Sequence, residues 1–354
     1  MESTLAYVLT YIWSSHPKPS ILPGCDINIF ADNDFYSAPE HHQHPNGSHN
    51  GEKRFRTFST SLDDTHKTGL GSSAALVTAL TAALLSFYAE LPGRDDGQAP
   101  STQVCPTART HNLAQAAHCA AQGKIGSGFD IAAAVYGSCV YRRFSPCVLS
   151  QLGDVAKSPG FASRLRACVD DRDGTWDAEV SLHGVKLPPG LSMVLCDVDA
   201  GTKTEGMVRR MGKWRAGQPG ESVRLFQTLQ ESNEALAQEI IAAGVTRGPD
   251  GIGAAMKQSR NLIRELSRAS DVPVEPAELT DLLDACEEMK GVVGCTVVGA
   301  GGFDAIALLI KNREETIHHL RELFHRREYG RVLTVEGAKE GVRTENPEEF
   351  VECI

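Results

Sequence analysis

The sequence predicts an α+β protein of two domains, on three observations. Ser222–Ala243 and Ile252–Arg268 carry apolar residues at helical spacing. Leu191–Val198 reads as a buried strand, and Gly294–Ile310 places apolar residues on both sides of a glycine turn, the pattern of strand, hairpin and strand. At 354 residues and 41% hydrophobic, the chain is long enough to bury a sizeable core and to divide. The division expected is residues 1–185 and 186–354, with the polar stretch Asp170–Gly174 near the seam. No internal repeat is visible.

Composition narrows the function classes. A formal charge of −10 argues against a nucleic-acid surface, and no basic run of five or more occurs. Ten cysteines without a C-x-x-C pair or zinc spacing suit reduced thiols in a cytoplasmic protein rather than a disulfide framework. The first twenty residues contain Glu2 and no early basic cluster, so they do not make a signal peptide. Thr68–Ala89 carries no charge and is long enough to span a bilayer. Its glycines, serines and threonines dilute the hydropathy, and a buried helix with no membrane partner is the better reading. His41, His42, His44 and His49 lie in a polar loop, Ala38–Gly51, that offers no large apolar side chain to fix ligand geometry. They read as a solvated insertion, and Asn46-Gly47-Ser48 within it would matter as a glycosylation acceptor only in a secreted protein.

The most informative run is His66-Lys67-Thr68-Gly69-Leu70-Gly71-Ser72-Ser73-Ala74-Ala75, opening into the apolar stretch Leu76–Ala89. It reads as an anion-binding loop feeding a helix. Glycines admit a ligand close to the backbone, and the unpaired N–H groups of a first helical turn hold phosphate oxygens without side-chain charge. Lys67 adds a full charge beside them. Two decoys compete, and a Gly-rich helix start with a purely structural role stays open. Gly69, Gly71 and Ala74 fit a dinucleotide fingerprint with Glu90 downstream, but the preceding Phe58–Lys67 is too polar for a central parallel strand. Gly206–Trp214 has one residue too many for a P-loop, and Trp214 stands where a magnesium-binding hydroxyl is needed.

Downstream, Gln122-Gly123-Lys124-Ile125-Gly126-Ser127-Gly128-Phe129-Asp130 sets one carboxylate behind a flexible, cationic turn, followed by the small-residue run Ile131–Gly137. Asp130 is either a cleft-facing functional group or the cap of a short helix. Gly299-Ala300-Gly301-Gly302 by itself is an ordinary tight turn.

The three segments together, in this order, resemble the GHMP family of small-molecule kinases. Lys67–Ala75, Lys124–Asp130 and Gly299–Ala305 are similar to its phosphomevalonate kinase branch of fungi and plants. Ala31–Ser37, Gly201–Thr204 with Met207-Val208, Val274-Glu275-Pro276 and Gly341–Glu345 extend the resemblance over nearly the whole chain. It implies a ribosomal-S5-like first domain and a ferredoxin-like second one. The family's opening strand, with its Pro-Gly-Lys-type motif, is not found. Met1–Leu9 resembles an internal helix instead, so the first domain is expected to be truncated and to leave an uncovered sheet edge or apolar patch. Val298 stands where the branch usually has proline, a change expected to loosen the turn.

What the resemblance implies is transfer of the γ-phosphoryl of ATP to 5-phosphomevalonate, with Mg2+, by a monomer or homodimer. The acceptor phosphate has a second pKa of about 6 and needs little general-base help, so positioned cations and N–H dipoles carry most of the rate. In that reading Gly69, Leu70, Gly71, Ser72, Ser73, Ala74 and Ala75 wrap the ATP phosphates. Ser72 and Asp130 serve the metal, and Asp130, Lys124 and Lys67 are catalytic. Ser127, Gly128, Thr202, Lys203, Thr204, Gly299, Ala300, Gly301 and Gly302 contact substrate. His111–Gln122 has no acidic residue of the kind that holds metal in mevalonate-kinase-type relatives, which implies fewer protein ligands here. Two alternatives remain. One is a GHMP kinase for a neutral acceptor, against which the lysines beside the loop and before Asp130 speak; the other is a binding protein that has lost turnover.

Overall fold

The computed structural model describes residues 1–15, 22–37, 55, 66–89, 107–152, 158–182, 186–198, 204–245, 249–299, 301–302, 305–333 and 340–353. Elements run α1 (Glu2–Ser15), β1 (Tyr36–Ser37), β2 (His66–Lys67), α2 (Ser72–Ala89), α3 (Thr107–Gln122), α4 (Phe129–Tyr136), β3 (Val140–Arg142), α5 (Cys147–Ser150), α6 (Phe161–Asp170) and β4 (Glu179–Ser181). They continue with β5 (Leu191–Asp197), α7 (Thr204–Gly217), α8 (Pro219–Val245), α9 (Asp250–Ser270), α10 (Ala277–Glu287), β6 (Val292–Val297), β7 (Ala305–Lys311), α11 (Arg313–Arg326) and β8 (Arg331–Val332). The mixture is α+β, as expected. The chain forms two compact units, Met1–Ile29 with Gly71–Gly184 and Gly337–Ile354, and Phe30–Leu70 with Val185–Glu336.

In the first unit α3 is the central helix, packed by α1, α2, α4 and α6. Every residue from Thr110 to Cys119 is buried, so the helix has no polar face. Ala114, Ala116 and Ala117 keep it thin enough for neighbours on all sides. α1 shows the simpler pattern, burying Thr4, Tyr7, Val8, Tyr11 and Ile12 along one stripe. The Tyr11 hydroxyl donates to Asp170 at 2.6 Å, fixing α1 to the end of α6. α2 is apolar and long enough to cross a membrane, yet 56% of it is buried within the protein, with Val77, Leu80, Leu84 and Leu85 in the core shared with α3.

The second unit is built on a four-stranded antiparallel sheet in the order β6-β7-β5-β8. Strand alternation sends Val194, Cys196 and Val198 to the face that also receives Ile306, Leu308 and Ile310. Leu279, Leu282, Leu283 and Cys286 of α10 and Leu320, Leu323 and Phe324 of α11 complete that core. A register shift between Val292 and Gly294 marks a bulge. There α9 approaches closely: a Cβ on Gly253 would lie 2.6 Å from the Val293 carbonyl oxygen, and one on Gly294 would lie 2.9 Å from the Met256 sulfur.

Arg260 of α9, 2% exposed, donates to both oxygens of Glu275, at 3.1 Å from Nε to each and 2.9 Å from Nη2 to Oε1. Its Nη1 also meets Asp284 at 2.7 Å and Glu287 at 3.1 Å. Every face of this buried cation is compensated. A second clasp sits at β8, where Arg331 donates to Asp34 Oδ1 at 3.2 Å and to the carbonyls of Asn33 at 3.4 Å and Tyr36 at 3.2 Å.

Ser222–Ala243 and Ile252–Arg268 lie within α8 and α9, and Leu191–Val198 contains β5, as the sequence patterns anticipate. Gly206–Trp214 is interior to α7, a helix rather than a phosphate loop. The histidine-rich loop, with His41, His42, His44, His49 and Asn46-Gly47-Ser48, lies outside the described residues, as does Glu90. Every described cysteine is free. Burial pushes the Cys168 thiol up to about 11 and Cys286 up to about 12, so neither is a reactive thiolate at neutral pH.

Candidate active site

The run singled out in the sequence is split by the folding of the chain. Lys67, Thr68, Gly69 and Leu70 fall in the second unit, and the helix they feed in the first. Lys67 lies in β2 opposite Tyr36 of β1, antiparallel, which removes the parallel strand a dinucleotide fold needs. The Thr68 hydroxyl donates to the Asp34 carbonyl at 2.6 Å and its N–H to Phe35 at 3.3 Å, and Gly69 turns the chain at φ +73.

In the first unit Gly71, at φ +75, opens α2 by accepting the N–H of Ala75 at 3.0 Å. Ser72 is buried, and Ser73 and Ala74 complete the first turn, whose leading N–H groups have no acceptor within the helix. Their dipoles sum to a partial positive charge of roughly +0.5, a place for phosphate oxygens. α3 ends in a reversal in which Gly123, at φ +64, returns its N–H to Ala120 and Lys124 returns its own to Cys119, both at 3.2 Å. Lys124, Ile125, Gly126 and Ser127 then lead to Gly128 at φ +85, immediately before α4. A Cβ at 128 would lie 2.6 Å from Gln115 Oε1 and 2.7 Å from Tyr141 Oη, so only glycine fits.

Asp130 is the second residue of α4, not its cap; Gly128 holds that position without a side-chain bond. Its Oδ1 accepts the N–H of Ile131 at 3.0 Å, and its side chain is 26% exposed. A Cβ on Gly71 would stand 3.7 Å from the Asp130 Cβ, which sets the carboxylate beside the opening of α2. The structure therefore brings Gly71, Ser72, Ser73 and Asp130 together, with Lys124 and Ser127 on the turn between α3 and α4.

Sequence reasoning missed His118. It is 4% exposed, with Nε2 3.1 Å from the Ser73 hydroxyl and 2.9 Å from the Gln122 amide nitrogen, and Nδ1 3.9 Å from Asp130 Oδ2. Burial lowers its pKa, the Asp130 charge raises it and Lys124 lowers it, with the net direction down. The available signal was its spacing of one turn from Gln122. The C-terminal segment, read in the sequence only as part of the resemblance, was given no role in the site. The N–H of Val342 donates to the Val135 carbonyl of α4 at 3.3 Å, and Gly341 sits where any Cβ would collide with that carbonyl. Glu340–Val342 helps line a cleft of about 410 Å3 with Ala75, Thr78, Ala79, Ala133 and Ala134.

In the second unit Gly299, Gly301 and Gly302 turn the chain between β6 and β7 at φ +62, +78 and +84. Gly302 donates to the Val274 carbonyl at 2.8 Å, and a Cβ on Gly301 would collide with the same carbonyl. Val298 donates its N–H to Ala305 at 3.4 Å. Proline has no such donor, so a proline at this position would lack this bond. Thr202, Lys203 and Ala300 lie outside the described residues, and Thr204 opens α7.

Comparison with known proteins places this arrangement. The GHMP kinases N terminal domain profile matches residues 57–138 and the GHMP kinases C terminal profile residues 234–325. The phosphomevalonate kinase of Gibberella zeae is 44% identical over 98% of this chain and 76% of its own length. That of Aspergillus fumigatus is 42% identical over 99% of this chain and 74% of its own. The peroxisomal phosphomevalonate kinase of Arabidopsis thaliana is 31% identical over 81% of this chain and 66% of its own. Among solved structures, the Lin0012 protein of Listeria innocua shares the fold with a TM-score of 0.56 at 22% identity, covering 77% of this chain and 69% of that one. A chain with both domain signatures, a glycine-serine helix start and a carboxylate beside it belongs to the GHMP kinase family. Within that family it belongs with the phosphomevalonate kinases.

Proposed function

We propose that this chain transfers the γ-phosphoryl group of ATP to the phosphate of 5-phosphomevalonate, giving 5-diphosphomevalonate and ADP. The observation that carries the reading is the packing of Asp130 against Gly71 at the opening of α2. A helix start holds one phosphate chain, and a carboxylate beside it orients what approaches. In this reading residues 1–185 are the ATP-binding domain and residues 186–354 the C-terminal domain of the kinase.

Gly69–Ala75 wrap the ATP phosphates through backbone N–H groups, as the open first turn of α2 allows. The acceptor phosphate arrives already largely deprotonated at neutral pH, its second pKa being about 6, so Asp130 acts by orienting it rather than by taking a proton. Two anions must meet, and Lys67, Lys124 and Lys203 offset their repulsion. Ser127, Gly128, Thr202, Thr204 and Gly299–Gly302 contact substrate.

Mg2+ accompanies ATP in this reading, and the donors suit it. The Asp130 carboxylate and the Ser72 hydroxyl are hard oxygen ligands. No group of three His, Cys, Asp or Glu side chains suited to a metal occurs among the described residues, so Asp130 and Ser72 would hold the ion together with the nucleotide rather than as a protein cage. When bound, the ion offsets charge on the transferring group. We place the enzyme in the cytoplasm, which its described cysteines, all free, suit, and off the membrane, because more than half of α2 is buried within the protein.

The test is ADP release by the purified chain with MgATP and 5-phosphomevalonate, with mevalonate as control. Release with 5-phosphomevalonate alone supports the assignment. Release with mevalonate alone transfers it to a kinase whose acceptor group is an uncharged hydroxyl, and none with either removes it.

A further inference from the structure

His118 is where the two halves of the first unit's site meet. It lies one turn before the end of α3, and its two ring nitrogens face three polar side chains. Nε2 stands 3.1 Å from the hydroxyl of Ser73 in the first turn of α2 and 2.9 Å from Nε2 of Gln122. Nδ1 faces Oδ2 of Asp130 at 3.9 Å. The opposite carboxylate oxygen is held by the N–H of Ile131.

An amide nitrogen only donates, so with the Gln122 amide assigned as it stands His118 Nε2 accepts from it. In a neutral imidazole the hydrogen then sits on Nδ1, the nitrogen facing Asp130. One lone pair on Nε2 serves both the Ser73 hydroxyl and the Gln122 amide, so any shift of Ser73 on binding a phosphate is felt by the ring. The ring in turn sets the electrostatic face presented to Asp130.

We propose that His118 is a positioning residue that couples the phosphate-holding turn of α2 to Asp130, through a neutral Nδ1–H tautomer. The inference rests on the phosphoryl-transfer reading and adds to it a link between its two binding elements. His118 touches neither substrate in this account. It orients the groups that do, as outer-shell partners of metal and phosphate sites do at a cost of about 10- to 100-fold when removed.

Two measurements on the full chain test it. Steady-state kinetics compare wild type, His118→Ala and His118→Asn, whose amide nitrogen stands in for Nδ1–H. The expected result is a kcat loss of about tenfold or more in His118→Ala, KM values within about threefold of wild type, and recovery of most of kcat in His118→Asn. Equal kcat in the two variants, or a loss confined to KM, overturns the proposal, and melting curves show whether either variant is unfolded. Long-range proton–nitrogen NMR of wild type and Asp130→Asn supplies the second. Protonated Nδ1, with a resonance that moves in Asp130→Asn, supports the coupling. Protonated Nε2, or no movement, refutes it even if the wild-type chain turns over no substrate. Absence of turnover in wild type counts against the functional reading, whereas wild-type turnover with an unaffected His118→Ala counts only against this proposal.

Discussion

Arg260 and His118 are both buried polar side chains on long helices, yet they are equipped in opposite ways. Arg260 meets Glu275, Asp284, Glu287 and the Thr280 carbonyl, with contacts from 2.7 to 3.1 Å, so every donor direction is met. Burial alone would lower its pKa, but the bonds and charge of Glu275 hold it above the ordinary guanidinium value. His118 shares one nitrogen between two partners and faces a carboxylate at 3.9 Å. The lesson is one of purpose. The Arg260 cluster is closed on itself, whereas the His118 cluster, which we propose serves a ligand site, is less fully satisfied at its ring nitrogens.

The largest effect expected breaks the open cluster. Asp130→Asn keeps the shape and removes the charge, so kcat should fall by about a thousandfold while the melting temperature barely moves. A fall in stability with activity retained would reverse the comparison. The closed cluster answers in the other currency. Arg260→Ala leaves Glu275 buried and unpaired, and urea unfolding should show a loss of about 3–5 kcal/mol.

Gly128→Ala is expected to affect both readouts. Its Cβ would press on Gln115 and Tyr141 at a backbone of φ +85, costing about 1–3 kcal/mol and shifting Asp130 enough to lower kcat. Unchanged kinetics in that variant would mean that the turn before α4 does not position the carboxylate.

The smallest effect is on pH dependence. Burial lowers the pKa of His111, opposed in part by its bond to Asn112. The native state therefore binds its proton less readily than the unfolded chain. The stabilisation is complete above the unfolded value of 6.5 and is lost as pH falls through the lowered folded value. Melting curves of His111→Asn should flatten with pH on the acid side of 6.5 relative to wild type, and an identical slope would contradict the assignment.

Much of this was legible beforehand, for stated reasons. Glycines and serines at a helix start, a small-residue run after Asp130 and a glycine hairpin each impose backbone conformations that residue types announce. The helices α8 and α9 carry one apolar stripe, so periodicity finds them. His118 was not legible, because α3 is buried on all sides and no face distinguishes a functional position from a packed one. Arg260 carried no sequence signal either, because its partners Glu275, Asp284 and Glu287 lie beyond its own helix. The clasp of Arg331 on Asp34 joins residues 297 apart, a pairing that only the folded chain brings together.

The most direct test is phosphorus NMR of the reaction of MgATP with 5-phosphomevalonate, run with wild type and with Asp130→Asn. The account predicts that the acceptor's single phosphate resonance is replaced by two coupled diphosphate resonances with wild type, and that almost none of this appears with Asp130→Asn. Equal diphosphate formation by the two proteins would contradict the role given to Asp130, and an unchanged acceptor resonance with folded wild type would contradict the activity itself.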